Sequence, residues 1–336
     1  MKKLLFTLAL PTLLLCVGPS AAAAGSSQSE ESRVIKGDEI KAAAKGLKQD
    51  AKTDAAIESH VASQAREGRL VDSKNVKAAA FDNATLTWET GSFVDEARYA
   101  KSKTKAKDGA TEDEVLELAF ISAEDPDAPA DGGAVQALSG AGMTGASFSG
   151  GTRLTSACQT WTVQGRSMTG CYQKFKPTSD GSSTRDYYAY NRWGTATGQS
   201  SFPFNWWPVY VDIRSRPWVG YGSRIVGMTN YFPIDGSQLC NEGSSVDIKL
   251  GSLALGIGLT NCADKYPIPN ATTRTMGLIY DDGFIFGGPL SKGVDFEMEV
   301  FNWQGGATPI FGDYNYAKFC SGTLLNCTGT LGKNGW

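Results

Sequence analysis

Val294-Asp-Phe-Glu-Met-Glu-Val300 decides the fold class. Val294, Phe296, Met298 and Val300 fall on one face, and Asp295, Glu297 and Glu299 on the other. A period of two is the signature of a strand with one packed face and one wet face. Upstream, Val246-Asp-Ile-Lys-Leu250 alternates in the same way. Gly251-Ser252 and then Leu253-Ala-Leu-Gly-Ile-Gly-Leu259 follow it, which predicts a hairpin with a two-residue turn. Further short apolar runs lie at Thr160–Val163, Tyr187–Tyr190, Val209–Ile213, Gly277–Tyr280 and Phe284–Phe286, each bounded by turn residues. Many short strands with Gly and Pro punctuation and no long helical period predict a mainly β chain. The expected architecture is an antiparallel, jelly-roll-like β-sandwich over residues 152–336.

The chain opens with Lys2 and Lys3, the apolar run Leu4–Val17 and the small residues Ala21–Ala24. That is the pattern of a secretory leader over residues 1–24 with cleavage near Ala24, so a secreted, extracellular protein is expected. The run is too short to span a hydrocarbon core of about 30 Å, and no later segment is a candidate transmembrane helix. Removing the leader discards Cys16 and leaves Cys158, Cys171, Cys240, Cys262, Cys320 and Cys327. An even set in an exported chain reads as disulfides. Six cysteines admit about 15 connectivities. Pairing nearest neighbours gives Cys158–Cys171, Cys240–Cys262 and Cys320–Cys327, on proximity alone. No Cys-x-x-Cys pair exists and His60 is the single histidine, so neither a metal site nor a cofactor is expected.

Composition changes near residue 130. Residues 25–131 carry 15 Lys/Arg and 22 Asp/Glu, while residues 132–336 carry 15 and 13, with all six remaining cysteines and most aromatics. This predicts a charged, helical or mixed N-terminal region over 25–121, with a propeptide as the alternative reading of it, and a flexible linker over 122–151 rich in Asp, Pro, Gly and Ala. Gly37–Glu67 reads as an exposed helix with a thin apolar stripe, carrying His60 on its surface. Asn83–Phe93 reads as one or two strands. Lys101, Lys103, Lys105 and Lys107 read as a solvated linker, and Thr111-Glu-Asp-Glu114 has capping-box spacing that predicts a helix from about 112.

With one histidine placed on a surface helix, histidine-dependent triads are disfavoured. The segment Gly145–Gly150 lacks the glycine spacing of a nucleophile elbow, and no phosphate-binding or dinucleotide glycine loop is present. Carboxylates remain. Asp295, Glu297 and Glu299 lie about 6.5–7 Å apart along their strand, near the separation that carboxylate pairs use in glycoside hydrolysis. Together with Trp206-Trp207-Pro208 upstream, the alternation is similar to the catalytic strand of β-jelly-roll glucanases. Here, though, Asp295 stands where that family has its nucleophilic Glu, and Glu297 where it has Asp. A glycosidase using Glu297 and Glu299 is therefore the enzymatic alternative.

The favoured expectation is a non-catalytic module that binds cell-wall or environmental glycan. Trp206, Trp207, Tyr210 and Trp218 would stack on sugar rings, while Arg214 and Arg216 would clamp acidic groups. The near-neutral second half argues against a nucleic-acid partner. The apolar and small residues of Leu253–Leu259 leave a β-rich toxin or surface-assembly protein as a further alternative.

Overall fold

The alternation in the quoted stretch becomes one strand of a seven-stranded sheet, second from its edge. The computed structural model of the chain describes residues 28–46, 51–105, 112–128, 136–137, 151–177, 181–200, 205–232, 245–250, 253–258, 264–281, 290–303, 308–321 and 327. The leader, Cys240, Cys262, Lys107, Phe284–Phe286 and most of the expected linker lie outside them.

The first half contributes β1 (Gln28–Lys36), α1 (Gly37–Gly46), α2 (Ala51–Arg66), β2 (Arg69–Leu70), β3 (Val76–Phe81), β4 (Ala84–Glu89), β5 (Ser92–Lys105), β6 (Glu112–Glu124) and β7 (Gln136–Ala137). Long strands follow: β8 (Gly151–Val163), β9 (Arg166–Pro177), β10 (Arg185–Thr197), β11 (Trp207–Pro217) and β12 (Ile225–Phe232). The hairpin β13 (Ser245–Leu250) and β14 (Leu253–Gly258) has the expected two-residue turn, pairing Leu250 with Leu253. Then come β15 (Asp264–Pro267), β16 (Met276–Asp281), β17 (Ser291–Trp303) and β18 (Phe311–Ser321).

Two antiparallel seven-stranded sheets form the sandwich, in the orders β1-β5-β6-β18-β11-β16-β15 and β12-β17-β10-β9-β8-β4-β3. Val294, Phe296, Met298 and Val300 of β17 are fully buried between them. They share one core with Leu118 and Phe120 of β6, Trp161 of β8, Tyr190 of β10, Ile213 of β11 and Phe319 of β18. Two expected disulfides are present: Cys158–Cys171, between residues directly opposite on β8 and β9, and Cys320–Cys327.

The compositional break near residue 130 is not a break in hydrogen bonding. β6 pairs with β18 over Glu114–Ala123, and β4 pairs with β8 over Ala84–Trp88, so the charged half supplies strands to both sheets. Three local expectations are corrected with it. Glu112–Glu124 is a strand, not a helix. It is central in its sheet and Val115–Phe120 are buried on both faces, so the period-two signal vanishes. The lysine run belongs to β5, with Lys101 half-buried and Ser102 buried. The expected linker begins inside β6, which runs to Glu124.

The helical expectation holds as two helices, but α2 is seated rather than free. Thr53, His60 and Gln64 are buried against the outer face of the second sheet. His60 is 2% exposed, which corrects its expected surface position. Its Nε2 lies 3.3 Å from Glu89 Oε1, and its Nδ1 lies 3.1 Å from the hydroxyls of Thr87 and Thr160. Arg69 grips both Glu89 oxygens at 2.9 Å, donates to Gln64 at 2.5 Å, contacts Cys158 Sγ and lies over the Trp193 ring. Burial works to raise the Glu89 pKa. The Arg69 charge and the His60 hydrogen bond outweigh it, so this carboxyl sits below its ordinary range. Among the described residues, no helix is long and apolar enough to cross a membrane.

Glu67 behaves oppositely. Burial raises its pKa above the ordinary 4.5, against the hydrogen bond from Trp193 and the charge of Arg69. The folded state therefore binds this proton more tightly than the unfolded chain does. Its contribution makes stability fall as pH rises from the ordinary glutamate range through the raised value. Glu67→Gln keeps an acceptor for Trp193 and removes the titration. Urea melts at pH 5 and pH 8 should show a smaller loss with pH in the variant than in the parent. Equal losses would contradict this assignment.

Candidate functional site

β11 alternates like β17. Val211, Ile213 and Ser215 are buried between the sheets, so Tyr210, Asp212, Arg214 and Arg216 occupy the outer face. Arg214 lies in register with Gly277 of β16. A Cβ at Gly277 would stand 2.9 Å from Arg214 Cγ and 2.8 Å from Ile268 Cδ1, so the missing side chain is what lets the arginine stem pass. Arg214 forks onto Asp212 at 2.9 and 2.6 Å. That bidentate bond fixes its orientation and raises its pKa.

The connection from β15 to β16 forms the facing wall. Asn270 and Thr275 exchange backbone hydrogen bonds of 2.7 and 2.9 Å. Asn270 Oδ1 accepts from the Thr273 amide at 3.0 Å, and the Thr273 and Thr275 hydroxyls are 2.8 Å apart. Between them Arg274 adopts φ +54°, a left-handed conformation that disfavours side chains by roughly 1–2 kcal/mol. Its Nη1 reaches the Gly222 carbonyl at 3.4 Å in the turn after β11. Its Nε is buried and has no hydrogen-bond partner among the described residues. An arginine held where glycine would be easier points to a requirement for its guanidinium.

These elements enclose an open cleft of about 580 Å³, lined by Arg214, Arg216 and Arg274, with Asn270, Thr273 and Thr275 beside them. Among the described residues, no carboxylate lines it. Arg214 is held by Asp212, while the Arg274 Nε has no hydrogen-bond partner among the described residues. The whole chain carries −3, but screening at physiological salt acts over about 8 Å, so an anion entering the cleft meets chiefly the guanidinium groups that line it. The cleft can hold carboxylate, sulfate or phosphate groups through planar forked donors.

The structure separates the expected aromatic surface from its arginines. Trp206 and Tyr210 are buried, at 5% and 4% exposure, which corrects their expected role as an open stacking platform. Trp206 lies in the main core under the Arg166 guanidinium at 4.1 Å, and Tyr210 packs edge-on against Tyr316. Trp207 is half-buried against Val115 and Cys320. Trp218, also half-buried, packs edge-on against Phe93 at 5.6 Å. Of the six expected residues, only Arg214 and Arg216 line the cleft. The positions of Asp295, Glu297 and Glu299 alternate with the buried residues of β17 and lie in register with Trp193, Asn191 and Ala189 of β10. Their side chains lie outside the described set.

Arg274 went unread because no local pattern marks a left-handed arginine. The compact run Asn270-Ala-Thr-Thr-Arg-Thr275 was the available signal, since Asn and Thr favour side-chain-capped turns. The chain matches no protein-family model and no curated protein.

Proposed function

We propose that the chain is an exported β-sandwich whose arginine cleft binds the acidic groups of an extracellular glycan. One observation carries the reading: Arg214, Arg216 and Arg274 converge on one open cleft that no carboxylate lines among the described residues, and one of them sits in a strained backbone conformation. The leader pattern at residues 1–24 and the two disulfides support an oxidising, extracellular setting. A glycan fits better than a nucleic acid because residues 132–336, which hold the cleft, carry 15 Lys/Arg against 13 Asp/Glu, too nearly neutral for a phosphate backbone.

Retention on immobilised polygalacturonate, dextran sulfate, neutral dextran and single-stranded DNA tests this. Binding to an acidic polysaccharide, and not to neutral dextran, is expected. A hydrogen bond to a charged group contributes about 1.5–3 kcal/mol, so Arg216→Ala and Arg274→Gly should each weaken binding roughly tenfold or more. Arg274→Gly should do so without lowering the melting temperature, because glycine relieves the backbone strain. Equal retention by dextran, preferential retention by DNA, or unchanged binding in both variants would overturn the proposal.

A further inference from the structure

The outer face of the second sheet carries two cross-strand rows of hydroxyls beneath α2. One row runs Thr85, Thr162, Ser167, Thr197 across β4, β8, β9 and β10. The second runs Thr87, Thr160, Thr169 across β4, β8 and β9. Neighbours within a row stand about 4.5–5.5 Å apart and the rows about 6.6 Å apart, as strand geometry dictates.

The rows differ in what they already bind. Arg69 grips both Glu89 oxygens, and the same carboxylate lies 3.3 Å from the Nε2 of His60, so the Nδ1 side of the ring is turned to the inner row. Thr87 and Thr160 face that nitrogen at 3.1 Å, and Thr160 is 2.9 Å from Thr169. The inner row is thus consumed by the histidine. In the outer row, the hydroxyls of Thr85, Thr162 and Ser167 have no hydrogen-bond partner among the described residues, and all three residues are half-buried.

The helix leaves room above them. Its seated stripe is Thr53, His60 and Gln64. The adjacent stripe is small in the middle, with Ala56, Ser59 and Ser63, and cationic at its ends, with Lys52 and Arg66. A cleft of about 330 Å³ remains between this stripe and the two rows. That lies at the small end of the roughly 300–1,000 Å³ typical of ligand pockets. Lys52 is bound to the Phe81 and Asp82 carbonyls. The walls therefore combine unclaimed hydroxyls, each able to donate and accept, with alanine and threonine methyls. That is the complement of a ring with apolar C–H faces and hydroxyl edges.

We infer that this cleft binds one or two neutral sugar residues through Thr85, Thr162 and Ser167. The inference does not rest on the arginine cleft, which would take acidic groups. Ligand-observed NMR with neutral mono- and disaccharides of glucose, galactose, mannose and N-acetylglucosamine tests it. At least one should bind the wild type, with an affinity that 0.5 M NaCl leaves unchanged. Thr162→Val and Ser167→Ala, which preserve shape, should each weaken that binding at least fivefold, while Arg274→Gly should not. Melting curves of the variants establish that they fold, and Thr85→Val serves if either does not. Binding of no sugar in the panel, or loss of binding in salt or in Arg274→Gly but not in the hydroxyl variants, would overturn the inference.

Discussion

Replacing Arg192 with Met is expected to cost about 3–5 kcal/mol, against the roughly 5–15 kcal/mol that stabilises an ordinary domain. Arg192 is fully buried between the sheets. It donates to the Cys171 carbonyl at 2.5 Å and to Asn315 Oδ1 at 2.7 Å, with Nε 3.2 Å from Asp313 Oδ1. Asp313 also accepts from Tyr190 and Ser215, at 2.8 and 2.6 Å. Gly170 makes space for this group: a Cβ there would lie 1.9 Å from Asn315 Oδ1. Removing the guanidinium leaves a carboxylate without its countercharge in a dry interior, and that desolvation dominates the loss. Burial already raises the Asp313 pKa against the pull of Arg192, so the variant's deficit should shrink as pH falls and Asp313 takes up a proton. Adding Asp313→Leu should restore much of the stability. Urea denaturation of the three forms at pH 7 and pH 4.5 reads all of this. A deficit that is independent of pH would contradict it.

Arg69→Met should have a comparable cost, about 3–5 kcal/mol, expressed more locally. Arg69 ties α2 to the sheet through Gln64, Glu89, Ser156 and the Trp193 ring. Glu89 would keep only His60 among these partners. Hydrogen exchange should therefore accelerate most in Ala51–Arg66, while amides of β17 and β18 stay protected until the whole chain opens. Uniform acceleration across both sheets would show that α2 does not open as a unit. The hydroxyl cleft beneath α2 should lose its ligand in the same variant, because the helix forms one of its walls.

Where apolar and polar residues alternate, the sequence was readable. Val294–Val300 alternates because its apolar residues face the core, and the β13–β14 turn is marked by Gly251-Ser252. Cys158–Cys171 and Cys320–Cys327 join neighbouring cysteines in sequence, and the first pair also stands directly opposite on β8 and β9. Where burial is two-sided, the signal failed. Val115–Phe120 is apolar at every position but Glu117, with no alternation, and the Thr111–Glu114 tetrad before it imitates a helix start. The site was less legible. The partners of His60 lie 27 to 100 residues away, on strands whose order no local pattern encodes. The aromatic cluster around Trp206 was visible, but a crowded aromatic segment does not announce which side of a sheet it takes. Arg214 and Arg216 were found because they stand beside the aromatic segment. Arg274 was not, because its importance lies in its backbone conformation and in the loop opposite.

Titrating isotopically labelled protein with oligogalacturonate while following backbone amide shifts tests the central claim most directly. The arginine-cleft reading requires shifts at Arg214, Arg216, Gly222 and Asn270–Thr275 that saturate together and diminish with added salt. Amides of Thr85 and Thr162 should stay unmoved. Saturable shifts confined to any other surface, or none at Asn270–Thr275, would contradict it.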